Sequence, residues 1–95
     1  MRYPISRGVV LAEFCGESLL LATLDAARHC PYVYQVNETA ACFWPLLERQ
    51  LPEDDVAAAV AAEYDAPAEV VRRDLGQFLK DLREKGYLLS EEAGA

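Results

Sequence analysis

Four side chains in this sequence could ligate a soft metal or act as a nucleophile: Cys15, His29, Cys30 and Cys42. Four such groups would in principle fill a tetrahedral zinc site. Their spacing argues against one. No two cysteines stand in a C-x-x-C pair. If Ser18–Asp25 is a strand, Cys15 lies at one end and His29 and Cys30 lie beyond the other, roughly 20–25 Å away at about 3.3 Å per residue. One ion cannot span that. A Cys–His nucleophile needs its base within hydrogen-bond reach, and neighbours such as His29 and Cys30 point apart on an extended chain. Glu53, Asp54 and Asp55 are the densest carboxylates, and a helix start accounts for them. No glycine-rich phosphate loop is present. The expectation is therefore a non-catalytic protein with no metal site and no cofactor.

Composition points the same way. The 95 residues are 53% hydrophobic and 26% charged, which places the chain among globular proteins and excludes disordered, collagenous and coiled-coil classes. A length near 100 residues predicts one domain, taken here as 1–90 with a polar, disordered tail at 91–95. The odd cysteine count and the absence of an apolar export signal in MRYPISRG predict reduced thiols and a cytoplasmic protein. The net charge of −7 disfavours nucleic acid and anionic lipid as partners. Residues 37–66 concentrate the acid, with seven carboxylates against one cation.

The elements that must position any site follow from local pattern. Val9–Phe14 (VVLAEF) reads as strand β1, Cys15-Gly16-Glu17 as a turn, and Ser18–Asp25 as strand β2. After a connection at Ala26–Pro31, Tyr32–Val36 (YVYQV) reads as strand β3, with Tyr32, Tyr34 and Val36 on one face. Asn37 is a good N-cap for helix α1, whose Ala40, Phe43, Leu46 and Leu47 recur at helical spacing. Pro45 predicts a kink or a later start near Trp44. Pro52 with three carboxylates opens helix α2, along which Val56, Val60 and Tyr64 form a stripe that ends near Asp65. Val71, Leu75, Phe78, Leu79 and Leu82 mark helix α3, stopped by Gly86. Tyr87-Leu88-Leu89 is expected to return to the sheet. The order is that of an α+β domain, a three-stranded antiparallel meander followed by a three-helix bundle, similar to a winged helix-turn-helix.

Two functions fit this architecture. A winged-helix DNA-binding regulator would use the α3 cations Arg72, Arg73, Lys80, Arg83 and Lys85. Those cations are interleaved with Asp74, Asp81 and Glu84, so the helix lacks a positive stripe. At about 100° per residue, Arg72 and Arg83 flank one side of the α3 apolar stripe, and Val70, Asp74 and Asp81 flank the other. The second function uses the edge of the sheet. β3 is an edge strand without lysine, and an open edge accepts a further strand. If α3 lies alongside, strand and helix form a groove for an extended peptide. Alternatively α3 covers the edge, or β3 pairs with a second copy in a homodimer.

The segment Tyr32-Val33-Tyr34-Gln35-Val36-Asn37-Glu38-Thr39-Ala40 resembles the junction of strand and L-N-x-T-A motif in the PqqD-like proteins, the precursor recognition elements of ribosomally made peptides. Phe43-Trp44, Leu46-Leu47, Glu53-Asp54-Asp55, Tyr64, Asp74-Leu75, Phe78-Leu79, Leu82 and Gly86-Tyr87-Leu88 follow in register, so the resemblance covers residues 8–89. Two departures stand out, Pro45 in the first helix and the Ala26–Pro31 connection. The resemblance implies a leader-binding protein that adds the leader of a precursor peptide to β3 and presents it to a modifying enzyme. That enzyme would be a radical SAM protein, or a leader peptidase and cyclase of a lasso-peptide pathway. Carried onto this chain, the binding positions are Tyr32, Val33, Tyr34, Gln35 and Val36 on the strand and Val70, Asp74, Gln77, Phe78 and Asp81 on the helix. Asp74 and Asp81 lead to the further expectation of a Lys or Arg in the leader. A proline at Tyr34 is expected to abolish binding if that residue's amide faces outward.

Overall fold

The structure is a computed structural model that describes residues 2–89, apart from the side chains of residues 24 and 25. The tail expected to be disordered at 91–95 lies outside the described residues. β1 (Val9–Phe14) and β2 (Glu17–Ala22) pair antiparallel, with Phe14 opposite Glu17. The two residues between them, Cys15 (φ 54°) and Gly16 (φ 80°), are both left-handed. A two-residue turn of this hand matches the twist of the flanking strands.

β2 is shorter than its apolar run suggests. The Thr23 amide and hydroxyl both donate to the Gly8 carbonyl, at 2.9 and 2.6 Å, and the Ala26 amide bonds back to Arg7 and Thr23. These bonds pull the chain out of the sheet into a 3-10 helix, Leu24–Arg28. Gly8 permits the approach: its φ is +95°, and a Cβ there would lie 2.2 Å from the Thr23 carbonyl oxygen. β3 (Val33–Val36) then pairs antiparallel with β2, giving the order β1-β2-β3. The strand starts at Val33, one residue later than the alternation predicts, although the carbonyl of Tyr32 just before it still accepts from the Ala22 amide at 3.0 Å.

α1 (Glu38–Glu48) begins at the Asn37 cap, whose side-chain oxygen accepts from the Ala40 amide at 2.8 Å. The helix runs through Pro45 and does not wait for Trp44. Pro45 is exposed, while Phe43, Trp44 and Leu47 are buried, so burial on the inner side offsets one missing hydrogen bond on the outer side. α2 (Glu53–Tyr64) ends in a left-handed Asp65, and α3 (Ala68–Lys85) ends in a left-handed Gly86. Val56, Ala57, Val60 and Ala61 of α2 pack with Val71, Leu75, Leu79 and Leu82 of α3 in one core.

The chain after α3 does not rejoin the sheet. Leu88 bridges Ile5, the Ser6 amide donates to Tyr87, and the Leu89 amide donates to Pro4. The amino-terminal segment competes successfully for this piece because it is itself anchored. Tyr3 exchanges hydrogen bonds with the Gln50 side chain at 2.7 and 2.8 Å and donates its hydroxyl to Leu51. Among the described residues no helix is long and apolar enough to cross a membrane.

Candidate functional site

The site is built on the free edge of β3. Because the Ala22 amide bonds Tyr32, that cross-strand pair is hydrogen-bonded, and in an antiparallel ladder such pairs alternate. Tyr34 and Val36 therefore aim their backbone groups at β2. Val33 and Gln35 aim theirs away from the sheet, where no further strand among the described residues pairs with β3. The amide of Tyr34 is thus turned inward, and the outward donors belong to its two neighbours.

Beside this edge lies a groove of about 540 Å³ between β3, the start of α1 and the middle of α3. Tyr34, Gln35 and Val36 line it from the strand, and Asp74, Gln77, Phe78 and Asp81 from α3. These helix positions share a face because they recur at three and four residues. Three expected positions lie elsewhere. Tyr32 is exposed ahead of the strand, Val33 faces outward on the far side of the sheet, and Val70 is exposed one turn before Asp74. Val33 still contributes its backbone to the edge.

The remaining wall comes from Asn37, Thr39, Ala40 and Phe43, none of them anticipated. Their signal was the Asn37 cap itself, since a helix that starts directly after a strand must place its first turns at the strand's end. Phe43 and Phe78 meet at the groove floor with ring centroids 6.0 Å apart. At the other end Tyr34 stacks on Tyr87 at 5.7 Å, and the Lys85 ammonium sits 4.8 Å from the Tyr34 ring centroid. Burial, and secondarily the Asp81 carboxylate, push the Tyr34 hydroxyl above its ordinary pKa of 10.0.

Among the described residues, Asp74 and Asp81 are the only charged ones that line the groove. Gln77 donates to one Asp81 oxygen at 3.0 Å, which positions the carboxylate and leaves its other oxygen free. Arg72, on the opposite flank of α3, pairs with Asp54 of α2, the sole ion pair among the described residues.

The thiols and the histidine fall away from the groove. Cys15 is exposed at the hairpin tip, Cys30 is buried, and Cys42 lies 3.0 Å from the Tyr64 hydroxyl. That contact, more than burial, pushes Tyr64 up to about 12. His29 approaches Ser6, whose hydroxyl donates to the Gly86 carbonyl. Among the described residues no three of His, Cys, Asp or Glu are grouped as a metal site would require. What the groove offers is main-chain donors and acceptors, an apolar floor and two carboxylates.

A scan against protein families matches residues 21–88 to the family described as coenzyme PQQ synthesis protein D, PqqD, and the chain belongs to that family. Two solved structures are similar. One is TbiB1 in complex with the TbiA(beta) leader peptide, 29% identical, with a TM-score of 0.71 over 92% of this chain and 95% of that one. The other is a lasso peptide synthetase B1 complexed with the leader peptide, 22% identical, with a TM-score of 0.75 over 95% of this chain and all of the other. Both likenesses agree with the α+β, winged-helix-like fold. Among curated proteins no match is found.

Proposed function

We propose that this protein binds the leader of a ribosomally synthesised precursor peptide as a fourth strand on β3 and presents it, without catalysis of its own, to a modifying enzyme. The outward backbone groups of Val33 and Gln35, unpaired beside a groove of peptide-side-chain size, carry this reading. Strand addition uses both features: the edge supplies main-chain hydrogen bonds, and the groove receives alternate side chains. Membership of the PqqD family and the 29% identity to a protein solved with its leader peptide support the ligand class.

Within this reading Gln35 and Val33 pair with the leader backbone, Phe43 and Phe78 receive an apolar leader side chain, and Tyr34 closes one end of the groove. The enzyme that receives the leader is a radical SAM protein or a lasso-type peptidase and cyclase. An amide-resolved NMR titration tests the reading, with the synthetic leader of a precursor encoded beside this gene and duplex DNA in parallel. Saturable shifts in Val33–Val36 and along Asp74–Asp81, with none from DNA, are expected. Shifts from DNA alone, centred on Arg72, Arg73 and Lys80, would replace the leader reader with a regulator.

A further inference from the structure

We propose that the groove selects its peptide by charge as well as by shape. It takes an extended segment in which Lys or Arg occupies the two alternate positions flanking an apolar residue. The cations pair with Asp74 and Asp81, and the apolar side chain packs onto the floor that Phe43 and Phe78 form together. This inference rests on the strand-addition reading and specifies its ligand.

The geometry comes from matching two periodicities. Asp74, Phe78 and Asp81 lie on one face of α3, about 6 Å and about 10.5 Å along its axis from the first at 1.5 Å per residue. A strand presents every second side chain to one face, about 6.8 Å apart, so residues i, i+2 and i+4 span a similar length. An added strand continues the sheet. Its residues on the Tyr34 and Val36 side therefore turn toward α3, and those of the other parity turn toward the opposite sheet face. The flexible stems of Lys and Arg absorb the remaining difference of about 3 Å between helix and strand spacing.

Charge fixes the sign of the two flanking positions. Neither aspartate has an ion-pair partner among the described residues. Lys85, one helical turn beyond Asp81, lies over the Tyr34 ring. The other α3 cation with an assigned partner, Arg72, is held on the far flank by Asp54. An occupant bringing Glu or Asp to these positions would meet like charge in a chain whose net charge is already −7. Asp81 is the stronger reader, since it is half-buried and Gln77 holds it in place, whereas Asp74 is exposed. Loss of the cation opposite Asp81 should weaken binding about 10-fold and loss of that opposite Asp74 about 3-fold, in line with partly buried and exposed pairs. Both effects should shrink as salt is raised.

A displayed library of random dodecapeptides, selected on the immobilised full-length protein, tests the inference. The same selection is run on the Asp74→Asn/Asp81→Asn double variant and on Asp81→Lys, each with its helical circular dichroism confirmed. The wild type should enrich a cation–x–apolar–x–cation pattern. The double variant should keep the apolar position and lose the cations, and Asp81→Lys should replace one cation with Asp or Glu. Wild-type enrichment of alternating apolar peptides without cations would overturn the charge inference alone. So would an unchanged cation preference in the double variant. Failure of the folded wild type to enrich any strand-forming peptide would overturn strand addition and the charge inference together.

Discussion

The two flanks of α3 share one helix and differ in what closes them. On the side of Arg72, α2 packs against the helix, Val71, Leu75, Leu79 and Leu82 are buried, and an Arg72–Asp54 pair trims the rim. On the side of Asp74, the neighbour is the edge of β3. There Phe78 is buried, but Asp74, Gln77 and Asp81 line an open groove. The closed flank has exchanged water for apolar contact and holds the fold together. The open flank keeps carboxylates and main-chain groups that a ligand can complete. A short helix bundle can thus stabilise itself with one side of a helix and leave the other open for the peptide proposed above.

The sharpest way to break this division is to damage the closed flank. Leu75 is fully buried, and Leu75→Ala should lower stability by about 2–5 kcal/mol, read from urea denaturation. Its folded fraction should still bind peptide normally, and a loss below about 1 kcal/mol would show that stability resides elsewhere.

Proline at two adjacent positions of β3 separates fold from binding on the open flank. Gln35→Pro removes an outward amide and should weaken peptide binding at least about 10-fold, with the helical circular dichroism unchanged. Tyr34→Pro removes a ladder bond to β2 and should destabilise the protein by about 3 kcal/mol. A stable Tyr34→Pro protein that fails to bind would reverse the assignment of inward and outward amides.

Tyr87 lies beneath the groove, stacked on Tyr34, with its hydroxyl donating to the Pro31 carbonyl at 2.6 Å. Tyr87→Phe should remove about 1 kcal/mol. Burial, then the neighbouring Cys30 and Tyr34, raise the Tyr87 pKa from 10.0 to about 12. Between those values the folded chain retains a proton that the unfolded chain has released. Stability from this group is therefore complete below pH 10 and lost as the pH rises toward 12, and Tyr87→Phe should flatten that alkaline decline in denaturation midpoints. The smallest effect belongs to the rim of the closed flank: both partners of the Arg72–Asp54 pair are more than half exposed, so Arg72→Ala should change stability by at most about 0.5 kcal/mol. A larger loss would mean that the rim, and not the apolar contact, closes the flank.

Much of this arrangement was legible in the chain. The hairpin was marked by Cys15-Gly16, α1 by Asn37, and α3 by its apolar spacing and Gly86, because turns, caps and amphipathic periods depend on residues close in sequence. The groove positions Tyr34, Gln35, Val36, Asp74, Gln77, Phe78 and Asp81 were among those the family resemblance implied, and helical angle separately put Asp74 and Asp81 on one flank of α3. Local rules failed where a distant group intervened. The end of β2 was set by Gly8, fifteen residues before Thr23, and the course of Tyr87–Leu89 by an amino-terminal segment tied to Gln50.

By itself the sequence determined the element order, the buried stripe of α3 and the two aspartates that share a face of that helix. All of these express the chain's own 2- and 3.6-residue periods. Only the tertiary structure decided which backbone groups of β3 point outward, that α1 supplies a third wall, and that Lys85 sits on Tyr34. Those outcomes depend on register between strands and on how helices lie across a sheet, which arise when segments far apart in the chain compete for the same contacts.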